Sequence, residues 1–133
     1  MKHLIFLIAI FFLGSCATPR TQENTMKPEQ TEDGEWKLDV FDSGYETFLL
    51  TQASPMHMYS EEQLKIRNQQ LVNEWNSYYY SGRYRNIVES GIEYDPRENY
   101  GLEFEYRLYQ VFAYVSYRYG LALNGLASID RHR

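Results

Sequence analysis

The chain has 133 residues, of which 44% are apolar and 17% aromatic, with 13 basic and 18 acidic side chains and a net charge of -5. This is enough for one small domain and far from the low-hydrophobicity, high-charge composition that keeps chains disordered. A pI near 5.2 argues against a phosphate-binding surface, so no nucleic acid partner is expected. Cys16 is the sole cysteine, which excludes an intrachain disulfide, a CxxC pair and a Cys-based zinc cluster.

The N-terminus reads Met1-Lys2-His3, then ten apolar residues from Leu4 to Leu13, then Gly14-Ser15-Cys16. Ten apolar residues are too few to span a bilayer, and the three-part layout is that of a secretory signal. The quartet Leu13-Gly14-Ser15-Cys16 resembles a bacterial lipobox. That resemblance implies cleavage after Ser15, removal of residues 1–15, and acylation of the Cys16 thiol and of the new amino terminus. Two or more acyl chains make a stable anchor where one is marginal, so the expected partner of this end is a membrane. Ala17 follows the cysteine in place of Asp, which in the Gram-negative sorting scheme this resembles implies the outer rather than the inner membrane. The plainer alternative is an ordinary signal peptide or a buried N-terminal helix with an incidental thiol. No later segment approaches eighteen uninterrupted apolar residues.

Ala17 to Gly34 holds no aromatic residue, two prolines and a scatter of Thr, Gln and Glu. Such a segment cannot bury enough surface to offset its ordering, so residues 16–34 are expected as a flexible tether. As coil it would hold the domain on the order of 25 Å from the membrane. Its surroundings are acidic, with 3 basic against 8 acidic residues from Ala17 to Glu46, whereas seven Arg balance seven acids from Arg83 onward.

One small globular domain is expected over 35–133. Trp36, Leu38 and Val40 alternate with Lys37 and Asp39, the period of a half-buried strand over 36–41, and Asp42-Ser43-Gly44 supplies a turn. Tyr45 to Thr51 reads as a short helical turn. Ser60 followed by Glu61-Glu62-Gln63 is a capping-box arrangement that predicts a helix over 61–80, with Gly82 at its C-terminal cap. The stretch 83–95 is irregular, with a short strand over 91–94 able to pair with the first. Tyr100 to Tyr119 fits a strand only as far as Leu108, but a helix over its whole length. The helix over 101–119 places Phe104, Leu108, Val111, Phe112, Val115 and Tyr119 on one stripe, with Glu103, Arg107, Gln110, Tyr114 and Arg118 facing away. The fold class is therefore α+β and helix-dominated, with two main helices and one or two short strands.

Several segments resemble a family of uncharacterised lipoproteins from Bacteroidota: Asp42-Ser43-Gly44-Tyr45-Glu46-Thr47-Phe48-Leu49, Pro55-Met56, Tyr59-Ser60, Glu74-Trp75-Asn76, Ile92-Glu93-Tyr94-Asp95, and Tyr100 to Glu103 through Tyr106 to Tyr109. The likeness covers about Trp36 to Tyr119. It implies a lipoprotein and transfers no catalytic residue.

After the leader only His57 and His132 remain, so a Ser/His/Asp or Cys/His engine lacks its parts, and neither a GxSxG elbow nor a phosphate-cradling glycine loop is present. No cofactor and no catalytic residue are expected. Met56-His57-Met58 offers two thioethers and an imidazole, soft ligands that suit Cu(I), although the same methionines serve as an apolar staple before the cap at Ser60. The carboxylate pairs Glu103/Glu105, Asp42/Glu46 and Glu89/Glu93 are the candidates for a small hydrolase.

Tyrosine is in excess, with eleven Tyr from Trp75 to Tyr119. Tyr pairs a flat apolar face with a hydroxyl tip and serves both protein interfaces and sugar platforms. Tyr106, Tyr109, Ala113 and Tyr117 form a second face of the last helix, and Tyr78 to Arg85 form a basic-aromatic loop. The expected interaction surface is Tyr79, Tyr84, Arg85, Tyr106, Tyr109 and Tyr117. The expected role is a non-catalytic accessory of the cell envelope that docks on another envelope protein, with glycan binding as the alternative.

Overall fold

The computed structural model describes residues 25–40 and 42–131. The expected lipidation and cleavage residues Cys16 and Ser15, and His132, lie outside them. In chain order the elements are β1 (Thr25–Met26), β2 (Glu29–Gln30), β3 (Trp36–Lys37), α1 (Ser43–Thr51), a 3-10 turn (Met56–Met58), α2 (Glu61–Ser81), β4 (Gly91–Ile92), α3 (Leu102–Tyr119) and a second 3-10 turn (Ser128–Asp130). Three helices beside two sheets of two strands each make the helix-dominated α+β fold that the sequence predicts.

Each helix begins and ends where its caps dictate. The Asp42 side chain accepts from the Gly44 amide at 2.9 Å to open α1. Ser60 Oγ accepts from the Gln63 amide at 3.2 Å to open α2. Gly82, at φ +71°, closes α2 by turning its amide and that of Arg83 back to the Tyr78 and Tyr79 carbonyls, a left-handed conformation that glycine adopts without a Cβ penalty. Gly120 closes α3 in the same way. Ser60→Ala removes the only side-chain acceptor at the start of α2 and is expected to cost about 1 kcal/mol, read as a lower urea midpoint at unchanged slope.

Helix α3 is the axis of the molecule. Phe104, Glu105 and every residue from Leu108 to Ser116 are buried, so the helix is covered on nearly all sides rather than along one stripe. Helix α2 covers one flank, with Trp75 edge-on to Phe112 at 5.9 Å. Helix α1 covers another, where Phe48 and Tyr45 meet Tyr114 at 5.5 and 6.0 Å and the Tyr45 hydroxyl donates to the Arg107 carbonyl at 2.6 Å. The segment after α3 closes a third flank by burying Leu121, Leu123 and Leu126. Gln110 and Tyr114, expected to face away, are therefore interior, while Tyr119, expected in the core stripe, is exposed. The difference arises because α1 is a nine-residue helix with its own buried Tyr45 and Phe48, not a passing turn.

The strands also differ from expectation. Only Trp36–Lys37 of the expected strand 36–41 pairs, and it pairs antiparallel with Glu29–Gln30 across a turn at Gly34. Gly91–Ile92 does not join it but pairs parallel with Thr25–Met26. Both β1 and β2 fall inside the expected tether of 16–34, so from Thr25 onward that segment is part of the fold. Met26, the segment's apolar side chain, packs against the core, and the ladder supplies partners for backbone groups that composition does not register.

Candidate functional site

The most site-like feature is a groove of about 460 Å³ between the first 3-10 turn, the first half of α2 and the chain's last turn. Its floor holds Leu64 and Asp130, both buried. Its rim holds Met58, Ile66 and Ile129, which are 56, 63 and 67% exposed and come from three separate segments. Gln63, Arg67 and Gln70 add polar edges.

Asp130 organises the floor. Its carboxyl oxygens accept from the Tyr109 hydroxyl at 2.7 Å, the Tyr59 hydroxyl at 3.0 Å and Ser54 Oγ at 3.2 Å. Tyr109 in turn accepts from the Ala127 amide at 3.0 Å, and Gln110 Nε2 donates to Tyr59 at 3.3 Å. The chain end is thereby clipped to α3 and to the turn before α2. Burial, with Asp130 beside it, pushes the Tyr59 hydroxyl up to about 12, and burial first and then Asp130 raise Tyr109 as well. These phenols stay protonated and act as donors. Glu74 reinforces the same segment by accepting from the Asn124 and Gly125 amides at 2.8 and 2.9 Å.

A second buried carboxyl lies between α2 and α3. Glu105 is fully buried and accepts from Asn68 Nδ2 at 2.8 Å and from the Tyr94 hydroxyl at 3.0 Å. Burial raises it above the usual carboxylate range, against the opposing pull of those two donors. Asn68 Oδ1 and Gln110 Oε1 are the side-chain oxygens that find no hydrogen-bond partner in the interior of the described residues.

The structure separates the six residues of the expected interaction surface. Tyr109 is fully buried and Tyr106 half-buried with its hydroxyl on the Ser54 carbonyl at 2.8 Å, because the Ser54–Tyr59 segment and the chain end cover that face of α3. They are core, not surface. Tyr117 is exposed at the far end of α3, against Phe48 at 5.4 Å. Tyr84 and Arg85 are exposed and Tyr79 is half-buried, all beside the turn that ends α2.

The remaining candidates disperse. Met56, His57 and Met58 form one exposed 3-10 turn, from which Met58 reaches the groove. No group of three or more His, Cys, Asp and Glu side chains converges among the described residues. Glu103 is exposed while Glu105 is buried, so they share no face. Asp42 caps α1 and Glu46 pairs with Arg107 at 2.6 Å, while Glu93 pairs with Lys27 at 3.6 Å. Sequence reasoning missed Asp130 altogether. The signal was the run Leu121, Leu123 and Leu126 around Gly125, too apolar to be a frayed end.

Among the described residues, no helix is long and apolar enough to cross a membrane. No curated protein and no solved structure matches the chain. One family does, over residues 4–131 and so nearly end to end, and the chain belongs to it: the family of unknown function DUF6146.

Proposed function

We propose that this protein is a non-catalytic lipoprotein of the cell envelope, acylated at Cys16 after cleavage behind Ser15, whose domain docks on another envelope protein through the groove floored by Leu64 and Asp130. The observation that carries the docking is the convergence of Met58, Ile66 and Ile129 on that groove. Scattered exposed apolar residues are ordinary, but three large ones from separate segments around one hollow, edged by Gln63, Arg67 and Gln70, have the apolar centre and polar rim of an interface. The anchoring is supported by the leader and the quartet ending at Cys16, and the family match takes in both from residue 4. In support of a non-catalytic role, the Glu105 carboxyl is engaged by Asn68 and Tyr94 in the interior, and that of Asp130, on the groove floor, is taken up by the Tyr109, Tyr59 and Ser54 hydroxyls.

The test is a photo-cross-linking amino acid at Ile66 in the full-length protein at native level, with the same probe at exposed Leu50 as control. One envelope protein should be captured from Ile66 and not from Leu50, and Ile66→Glu should lower its co-purification at least tenfold. Because Ile66 is exposed, that substitution should shift stability by no more than about 0.5 kcal/mol. Equal capture at both positions, or undiminished recovery with Ile66→Glu, overturns the docking. A Cys16→Ala protein lacking the leader that still sediments with membranes overturns the anchoring.

A further inference from the structure

Strand β4 runs antiparallel to α2. Asn76 brackets Ile92, donating to its carbonyl and accepting from its amide, both at 2.8 Å. Gly91 lies one step nearer the helix's C-terminal end, where a Cβ would sit 3.3 Å from the Tyr79 ring. Strand β1 is parallel to β4, with Thr25 opposite Gly91 and Met26 opposite Ile92. The Thr25 end of β1 therefore lies toward the Tyr79–Arg85 turn and its Met26 end toward Glu61. Cys16 precedes Thr25 by nine residues, which span at most about 30 Å. Helix α2, at 21 residues, is itself about 30 Å long. An anchor at Cys16 thus reaches the turn easily and the opposite end of α2 only at full stretch.

The turn is built for an interface between water and lipid. Tyr80 is 76% exposed, and Tyr84 is exposed with φ at +59°, a left-handed conformation that a non-glycine residue seldom adopts. Arg83 lies over the Tyr84 ring at 5.1 Å and Arg85 Nε donates to the Gly82 carbonyl at 3.2 Å. These two arginines outnumber Glu89, the carboxylate that borders the same surface, whereas the start of α2 sets Glu61 and Glu62 against Lys65 and Arg67 with no net charge. Tyr and Arg are side chains that place an apolar body in the headgroup region and a polar tip in water. The arginines favour an anionic surface, and the opposite end of α2 carries no net positive charge to compete for it.

We infer that the turn at the end of α2 rests on the membrane surface, with Tyr80, Arg83, Tyr84 and Arg85 among the lipid headgroups and the Ile66 groove turned away toward its partner. The inference rests on acylation of Cys16.

The experiment uses the full mature lipoprotein in vesicles of phosphatidylethanolamine and phosphatidylglycerol. With the Cys16 sulfur held in the lipid thioether, Tyr80→Cys and Glu62→Cys each offer one free thiol for an environment-sensitive fluorophore. Brominated lipids should quench the label at 80 by more than half and that at 62 by less than a tenth, and adding Arg83→Glu with Arg85→Glu should at least halve the quenching at 80. Equal quenching at both sites in protein whose intact mass carries the acyl chains overturns the orientation alone. A mass without acyl chains overturns the anchoring and this inference with it. If only isolated peptidoglycan shifts the label at 80, the turn is a glycan contact and the inference fails.

Discussion

Replacing Asp130 with alanine is expected to lower the unfolding free energy by about 2–4 kcal/mol, because it strands the buried Tyr109 hydroxyl together with those of Tyr59 and Ser54. The clip spans 76 residues of sequence at Ser54 and 21 at Tyr109, so the loss is not local. It frees the segment that carries Ile129 and hence one wall of the groove. Asp130→Asn keeps one carbonyl acceptor and should cost about half as much, and Tyr109→Phe, which removes one donor and the acceptor for Ala127, about 1–2 kcal/mol. In a double-mutant cycle Asp130→Ala and Tyr109→Phe should fall short of additivity by about 1 kcal/mol, since each deletes the bond between them. Urea unfolding followed by tryptophan fluorescence reads all four proteins, and strict additivity would show that the 2.7 Å contact between Tyr109 and Asp130 carries no coupling. A parallel result at the groove is expected: protein captured through Ile66 should be lost in Asp130→Ala even at temperatures where the variant remains folded.

How far the chain could be read in advance follows from which physics is local. Helix α2 was legible because Ser60 and Gly82 specify its ends through their own backbone and side-chain atoms. Helix α3 was legible as a helix from its period, but its place at the centre was not. A stripe of Phe104, Leu108 and Phe112 predicts one covered face, whereas the covering of Gln110 and Tyr114 depends on α1 and on the chain end arriving from elsewhere. Trp36–Lys37 and Gly91–Ile92 fall within the expected strands, but their partners Thr25–Met26 and Glu29–Gln30 were illegible because so short a ladder leaves no period to detect. Pairing of Thr25 with Gly91 is a contact across 66 residues of chain.

The same distinction explains the tyrosines. Their excess signalled something real, but a Tyr is equally suited to a core with a hydroxyl acceptor and to a surface. Tyr109 and Tyr106 found acceptors in Asp130 and Ser54 and went inside. Tyr80, in the last turn of α2, and Tyr84, just past its cap, stayed outside. What the sequence lacked was the location of the acceptors. The groove was missed for a related reason: Met58, Ile66 and Ile129 are isolated apolar residues in polar surroundings, and only the clip at Asp130 brings the third to the first two.

The second large effect concerns Glu105, the carboxyl between α2 and α3. Glu105→Ala leaves the Tyr94 hydroxyl without its acceptor and Asn68 with only the backbone carbonyl of residue 105, and it empties a fully buried site, at an expected cost of about 3 kcal/mol. Glu105→Gln retains a carbonyl for Asn68 and behaves differently with pH. Burial raises Glu105 in the native state above its ordinary value of 4.5, so between that value and the raised one the native state holds the proton more often than the unfolded chain does. Stability then falls with rising pH across this window, and the contribution of the neutral acid is complete only below it. Glutamine cannot titrate. The stability of the Glu105 protein relative to Glu105→Gln should therefore be greatest near pH 4 and decline toward pH 8, whatever the other carboxyls contribute, because they are common to both. Urea unfolding of the pair at both pH values measures the difference, and a constant offset would mean that burial leaves the titration of Glu105 unshifted between the folded and unfolded chain. In the decline the two proteins should converge or cross, because the ionised carboxylate bears a burial cost that the neutral amide does not.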